Sequence, residues 1–284
     1  MSDASPAPDR YALVGMPVAH SRSPMIHTIF ARTTGQHMSY ELIEATADEF
    51  ETAVRGFEAA GGKGMNVTVP HKEAAFELCK SLGDEARQAG AVNTITFEKG
   101  RLRGDNTDGI GFMRDLSVNQ ACDPADRSIL VLGAGGAARG IVVPLLAAGP
   151  MRLVIANRTE ARAETLREAV DGGNAIEVCR FEALGGLGEF DIVVNATSAG
   201  LRNEQMPFPT AIVGPDTFCY DLVYGQKTTP FVTWAEAAGA AKAVHGWGML
   251  VEQAAESFRI WRGVEPDTGP LVREQSACAP ISAS

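Results

Sequence analysis

The sequence predicts an α/β fold in two domains. Three observations point to it. Short apolar runs alternate with helical stretches along most of the chain. One of these units, Ser128 to Met151, passes from an apolar run through glycines into an apolar helix. The 284 residues are enough for two domains of ordinary size.

Taken in order, Tyr11 to Gly15 reads as a short apolar strand, preceded by a polar segment of ten residues expected to fray. Ser23-Pro24, a capping residue followed by proline at the first helical position, opens a helix to about Gly35. Met38 to Ala45 is a second strand, and Asp48 to Ala60 places Phe50, Val54 and Phe57 on one helical face before Gly61-Gly62 stops it. Gly64 to Val69 is a third strand and Pro70 opens another helix. Ala91 to Phe97 with Arg101 to Arg103 forms a hairpin over Glu98-Lys99-Gly100. Asp105 to Gly111, polar and glycine-rich, reads as a hinge. After the glycine unit come strands at Arg152 to Ala156, Ile176 to Arg180, Phe190 to Ala196 and Phe218 to Leu222, with a helix from about Thr159 to Val170. From Gly248 a helix carries Leu250, Ala254, Phe258 and Trp261 on one stripe, long enough to return to the first domain.

The glycine unit carries the first chemical signal. Ile129 to Leu132 reads as a buried parallel strand, and Gly133-Ala134-Gly135-Gly136 leads into the helix. Gly133 permits the tight turn, Gly135 lets the backbone approach a pyrophosphate, and Ala138 fills the third small position of G-x-G-x-x-G/A. The free N–H groups at the helix start face the phosphates. Where dinucleotide folds place an acid for a ribose hydroxyl, past the second strand, the chain reads Asn157-Arg158-Thr159, with Arg162 one turn on. That substitution favours NADP over NAD; the alternative is a solvated loop arginine. Arg139 is the only charge between Ile129 and Met151, yet the glycines, Pro144 and a central arginine costing about 2.5 kcal/mol or more exclude a membrane span.

Composition narrows the partners. A net charge of −10 disfavours nucleic acid and anionic membranes, which leaves small molecules, any anion among them held by local positive groups. Five cysteines at wide spacing without C-x-x-C, and histidines without an i, i+4 pair, imply reduced thiols and no metal. No apolar leader precedes Tyr11, so the cytoplasm is the expected location.

Four polar clusters sit near strand ends, where α/β folds bind ligands: His20-Ser21-Arg22-Ser23-Pro24, Asn66 to Lys72, Val92-Asn93-Thr94 and Asp105 to Gly109. With GMPVAHSRSP, GMNVTVPHK, GAVNT, GDNTDG, GAGGAARG, NRT, NATSAG, DLVY and GWGMLVEQAA in this order and spacing, the chain resembles the shikimate dehydrogenase family from about Tyr11 to Gly263. The resemblance implies NADP-dependent reduction of 3-dehydroshikimate to shikimate. It implies a substrate domain over 1–106 and 246–284 and a Rossmann-type, doubly wound NADP domain over 107–245. Ser21, Ser23 and Tyr224 would donate to the substrate carboxylate, while Thr68, Asn93 and Gln253 would bind ring hydroxyls. Lys72 and Asp108 would be the catalytic pair. Gly133, Ala134, Gly135, Gly136, Ala137, Asn157, Arg158, Thr159, Arg162, Leu222 and Gly246 would hold the cofactor. Read singly, Ser23 is also a helix cap, Asn93 a turn residue, Gln253 the polar edge of a packed helix, Lys72 a surface lysine and Asp108 an N-cap.

A hydride arriving at a ketone creates alkoxide character, so the site needs a proton donor, and the reverse direction needs a base. A lysine beside an aspartate can serve as either, and the sequence leaves open which holds the proton. Thr28, His245-Gly246-Trp247 and Gly225-Gln226-Lys227 depart from the family pattern without touching the pair. A quinate or quinate/shikimate dehydrogenase and a non-catalytic nucleotide-sensing protein are the alternative readings, with a monomer or homodimer open in each case.

Overall fold

The computed structural model describes residues 7–98, 100–197, 208–225 and 228–274. The chain divides into two compact units, Met1–Thr107 with Ala254–Thr268, and Asp108–Gln253 with Gly269–Ser284.

The first unit contains β1 (Asp9–Gly15), α1 (Ser23–Thr34), β2 (Met38–Glu44), α2 (Phe50–Ala59), β3 (Gly64–Val67), α3 (Lys72–Leu78), β4 (Ser81–Leu82), α4 (Asp84–Ala89), β5 (Thr94–Glu98) and β6 (Arg101–Asp105). Its sheet runs β2-β1-β3-β5-β6-β4. β1 pairs parallel with β2 and β3, whereas β5 is antiparallel to β3 and β6. Ala12, Val14, Val54, Phe57, Met65, Val67, Ile95 and Leu102 form its core. The second unit contains α5 (Asp108–Arg114), β7 (Ser128–Leu132), α6 (Gly136–Ala147), β8 (Arg152–Asn157), α7 (Glu160–Glu168), β9 (Ile176–Arg180), β10 (Ile192–Asn195), β11 (Phe218–Asp221), α8 (Pro230–Ala237), β12 (Lys242–His245), the start of α9 (Trp247–Arg262), and α10 (Gly269–Glu274). Its sheet is parallel throughout in the order β12-β11-β10-β7-β8-β9. Progression reverses between β7 and β10, which creates a crevice beyond their carboxyl ends.

The apolar run at β7 follows from burial on both faces. Ile129 and Val131 enter one core with Ala138, Ile141 and Leu145, while Leu130 and Leu132 enter another with Val193, Cys219 and Phe231. In the first unit, the far end of α9 covers β1, with Trp261 stacked on Tyr11 at 4.6 Å between ring centroids and its indole N–H donating to the Ile95 carbonyl at 3.2 Å.

Several expectations change. Asp9 and Arg10 do not fray: they pair with Met38 and Ser39. The cap of α1 is Arg22, not Ser23, and no side chain caps it; Ser23 is already helical, and its N–H donates to Ser21 Oγ. The helix expected at Pro70 starts two residues later, at Lys72. The expected hinge shrinks to Asn106 and Thr107, because β6 extends to Asp105 and α5 starts at Asp108. A boundary was expected at Gly246, yet the division falls between Gln253 and Ala254, inside α9. The reason is close packing of α9 on α5: a Cβ on Gly111 would lie 2.6 Å from the Gln253 backbone nitrogen. β4, α4, α8, β12 and α10, all short or weakly periodic, carry no clear signal in the sequence. Cys79, Cys122, Cys179 and Cys219 are free. Lys99, Ser198 to Gly200, Gln226, Lys227 and Cys278 lie outside the described residues. Among the described residues, no helix is long and apolar enough to cross a membrane.

His27 on α1 is fully buried, stacked on Tyr40 at 4.3 Å, and neither ring nitrogen has a hydrogen-bond partner. Burial pushes its pKa from 6.5 down to about 3, against a smaller upward pull from Asn66. The unfolded chain therefore binds a proton near pH 6.5 that the folded chain refuses, so this group's contribution is intact above that pH and is lost as pH falls toward 3. We predict that His27→Phe gains on the unmutated protein by about 2 kcal/mol between pH 7 and pH 4.5. Urea unfolding at the two pH values checks this, and parallel acid losses in both proteins would contradict it.

Candidate active site

In the first unit, five expected residues lie just beyond one end of the interior strands β1, β3 and β5. Ser21 lies on the loop after β1 and Ser23 opens α1, their hydroxyls 3.2 Å apart. Beside them runs the loop after β3: Thr68 N–H donates to Val14 O at 3.0 Å and Met16 N–H to Val69 O at 3.0 Å. Lys72 opens α3, and its carbonyl accepts from Val92 N–H at 2.9 Å, which sets it next to Asn93. His71, just before it, is buried, bonded through Nε2 to Ala45 O at 2.7 Å and stacked on Phe50 at 4.7 Å. The start of α3 is therefore anchored from its own first turn.

Asn93 is held by the most elaborate polar network in this unit. Its Oδ1 accepts from Thr107 N–H and from the Thr94 hydroxyl, each at 2.9 Å, and its Nδ2 donates to Thr107 Oγ1 at 2.9 Å. Asn66 Nδ2 reaches Asn93 O, Thr94 Oγ1 and Ser257 Oγ at 3.0–3.2 Å, while Asn66 Oδ1 accepts from the Tyr40 hydroxyl at 2.7 Å. Asn66, Thr107 and Ser257 were not singled out from sequence, although the first two sit inside the polar clusters at strand ends.

The second unit presents the nucleotide geometry. Gly133 takes φ of +108°, and a Cβ there would lie 3.0 Å from the Ala196 backbone, so only glycine fits the turn. Gly135 caps α6 and has open space where a side chain would be. Gly136 and Ala137 begin a 12-residue helix with no acid in its first turn, and Ala134 and Ala138 are buried. β8 ends at Asn157, whose Nδ2 donates to Thr159 O at 2.8 Å. Thr159 is the cap of α7 by position but makes no side-chain capping bond; the Asn157 amide orders this turn. Arg158 and Arg162 are exposed, and among the described residues neither guanidinium has a salt bridge or hydrogen bond. An open glycine turn, uncapped helix N–H groups and two uncommitted guanidinium groups together fit a dinucleotide with an extra phosphate.

Leu222 and Tyr224 belong to the turn after β11. Leu222 N–H donates to Asn195 O at 2.9 Å, and Gly246 N–H donates to Val223 O at 3.1 Å. Asp108 is the buried first residue of α5. Gln253 lies on α9, its Nε2 donating to Leu250 O at 2.9 Å. The expected substrate set thus falls on both units: Ser21, Ser23, Thr68, Lys72 and Asn93 on the first, Asp108, Tyr224 and Gln253 on the second. Among the described residues, no cluster of histidine, cysteine, aspartate or glutamate could hold a metal ion.

Comparison with known proteins gives these residues a family. Residues 13–95 match the shikimate dehydrogenase substrate binding domain, 116–203 match shikimate / quinate 5-dehydrogenase, and 246–272 match the shikimate 5'-dehydrogenase C-terminal domain. The chain is 53% identical over 264 residues to a shikimate dehydrogenase (NADP(+)) of Alkalilimnicola ehrlichii, covering 93% of this chain and 97% of that protein. Its structure is similar to that of an Ael1 enzyme from Pseudomonas putida, with a TM-score of 0.85, 45% identity, and 96% and 100% of the two chains covered. It is also similar to shikimate 5-dehydrogenase of Thermus thermophilus in complex with NADP(H) and shikimate, with a TM-score of 0.83, 33% identity, and 95% and 100% covered. With its glycine turn, its paired units and this identity along nearly the whole length, the chain belongs to the shikimate dehydrogenase family.

Proposed function

We propose that this protein catalyses the reversible NADP-dependent reduction of 3-dehydroshikimate to shikimate, as a step toward aromatic compounds. The observation that carries the reading is the family identity together with uncommitted Arg158 and Arg162 where an NAD-binding chain would keep an acid. Bound NADPH supplies the hydride to the ketone carbon. The chain's own residues must then place a proton on the ketone oxygen, and Lys72 with Asp108 is the pair assigned to it. Ser21, Ser23 and Tyr224 hold the carboxylate through hydroxyl donors, and Thr68, Asn93 and Gln253 hold the ring hydroxyls. Preorganised donors of this kind cost no reorganisation during the reaction. The fixed Asn93 amide supports that role, because its orientation is set before any ligand arrives. Gly133 to Ala137, with Leu222 and Gly246, cradle the dinucleotide, and Asn157, Arg158, Thr159 and Arg162 take its 2′-phosphate.

Absorbance at the nicotinamide band, followed with shikimate and quinate against NADP and NAD, tests the assignment as a whole. Shikimate with NADP is expected to give the highest kcat/KM; no turnover with any pairing would leave a nucleotide-sensing protein.

The catalytic pair predicts that Lys72→Ala and Asp108→Asn each lower kcat by about 100-fold or more, with NADP affinity by fluorescence titration changed only a few-fold. Full activity in Lys72→Ala would remove it from the mechanism. Losing one hydroxyl to the carboxylate, as in Ser21→Ala, Ser23→Ala or Tyr224→Phe, is expected to raise the shikimate KM by roughly 5- to 150-fold in each variant, a loss of about 1 to 3 kcal/mol of binding. A far larger effect of Arg22→Ala would reassign the carboxylate. Arg158→Ala is expected to raise the NADP KM by roughly 10- to 100-fold with kcat nearly unchanged, because the phosphate is remote from the hydride. Equal kcat/KM for NAD and NADP in the unmutated protein would contradict the cofactor assignment.

A further inference from the structure

Asp221, the last residue of β11, is fully buried and takes no part in the chemistry above. Its Oδ1 accepts from Asn195 Nδ2 at 2.9 Å and from Val223 N–H at 3.1 Å, and its Oδ2 accepts from the Thr229 hydroxyl at 2.6 Å. Each partner belongs to a different segment. Asn195 ends β10, and its own Oδ1 orders the next loop by accepting from Thr197 N–H at 3.1 Å and Thr197 Oγ1 at 2.7 Å. Val223 is the middle of the Leu222-Val223-Tyr224 turn. Thr229 caps α8, accepting from Val232 N–H at 3.3 Å. One carboxylate thereby ties together the loop after β10, the turn after β11 and the start of a helix.

The hydrogen count fixes its working state. All three neighbours of the carboxylate donate, so the ionised form satisfies them and a protonated form would bring a hydrogen into a place already filled by donors. Among the described residues no cation pairs with it. The titratable groups facing it are Tyr220 beside it on β11, whose phenol donates to Asp115, and His245, its register partner on β12; β10 and α8 contribute the uncharged Asn195 and Thr229. Dipoles alone hold the charge, and burial outweighs them, raising the carboxyl pKa to about 6.

We propose that Asp221 is a positioning residue: as a carboxylate it holds the Leu222–Tyr224 turn in its binding geometry, and uptake of a proton releases that turn. The inference rests on the reading of Tyr224 as a donor to the substrate carboxylate. Its signature is a shikimate KM that rises as pH falls through about 6, with the loss located in binding.

The test is the shikimate KM and kcat at saturating NADP from pH 5.5 to 8.5, for the unmutated protein, Asp221→Asn, Thr229→Val and Thr229→Ser. At pH 8 Asp221→Asn is expected to raise KM about 10-fold with kcat within a few-fold, the loss of one or two hydrogen bonds to a charged group. Its KM should then stay flat with pH, while the unmutated KM climbs toward it below pH 6. Thr229→Val, which removes one donor from the carboxylate, should move the rise to higher pH, and Thr229→Ser should restore the original profile. Should Asp221→Asn fail to fold, the two Thr229 variants still decide. An unmutated KM that is level across the range, or a pH profile unaltered in Thr229→Val, overturns the proposal. Tyr224→Phe separates the two readings: an unchanged KM there removes the Tyr224 assignment, whereas a raised KM there with an unaltered Asp221→Asn overturns only the positioning role.

Discussion

Strands buried on both faces deliver their backbone groups into loops that water cannot reach, and those groups must find partners inside the protein. Both units meet this constraint with amide and carboxyl side chains at the ends of central strands. In the first unit Asn66 and Asn93 bridge β3, β5 and the Asn106-Thr107 link. In the second Asn195 and Asp221 bridge the loops after β10 and β11. Asn93, Leu222 and Tyr224, among the residues assigned to substrate and cofactor, lie in or beside these networks.

Counting hydrogens around Asn93 shows how far the geometry is determined. With Asn93 Oδ1 filled by Thr107 N–H and the Thr94 hydroxyl, Asn93 Nδ2 must face Thr107 Oγ1. The Thr107 and Ser257 hydroxyls lie 3.2 Å apart, and those of Ser257 and Thr94 2.8 Å apart. The result is a network of neutral groups whose members hold one another in place. Neutral groups suit a protein with net charge −10, because they fix an amide without adding to the negative field that an anionic substrate and a nucleotide must enter. Positive charge is supplied locally instead, by Arg158 and Arg162, where a phosphate is proposed to bind, and by Lys72 at the start of α3.

A second fully buried aspartate has a packing role. Asp115 follows α5, at a wider turn over Asp115–Asn119, and is fully buried. It accepts from the Tyr220 hydroxyl at 2.5 Å, Asn119 Nδ2 at 3.0 Å and Gln120 Nε2 at 3.3 Å. Burial first, and then Asp115 itself, push the Tyr220 phenol well above its ordinary pKa, so it stays a donor. Gly248 in the first turn of α9 leaves room for this carboxylate; a Cβ there would overlap it. α5 and the start of α9, which carries Gln253, are thus locked to β11 within one unit.

Local patterns carried the fold class, the two units and the nucleotide turn: an apolar run means a buried strand, Gly133 and Gly135 meet steric demands of their own residues, and Arg158 replaces an acid at a fixed distance. The family motifs then marked Ser21, Ser23, Lys72, Asn93 and Asp108. Weak local signals hid α8 and β12, and the Ser23 cap moved to Arg22 because the Ser21 hydroxyl takes the Ser23 N–H. The partners of the site residues were decided only by tertiary structure. Asn66 meets Ser257 across 191 residues of chain, and Asp221 meets Asn195 across 26. Asparagine, serine and aspartate look alike in a turn, a cap or a buried network, and only the packing of strands removes the water that makes their hydrogen bonds obligatory.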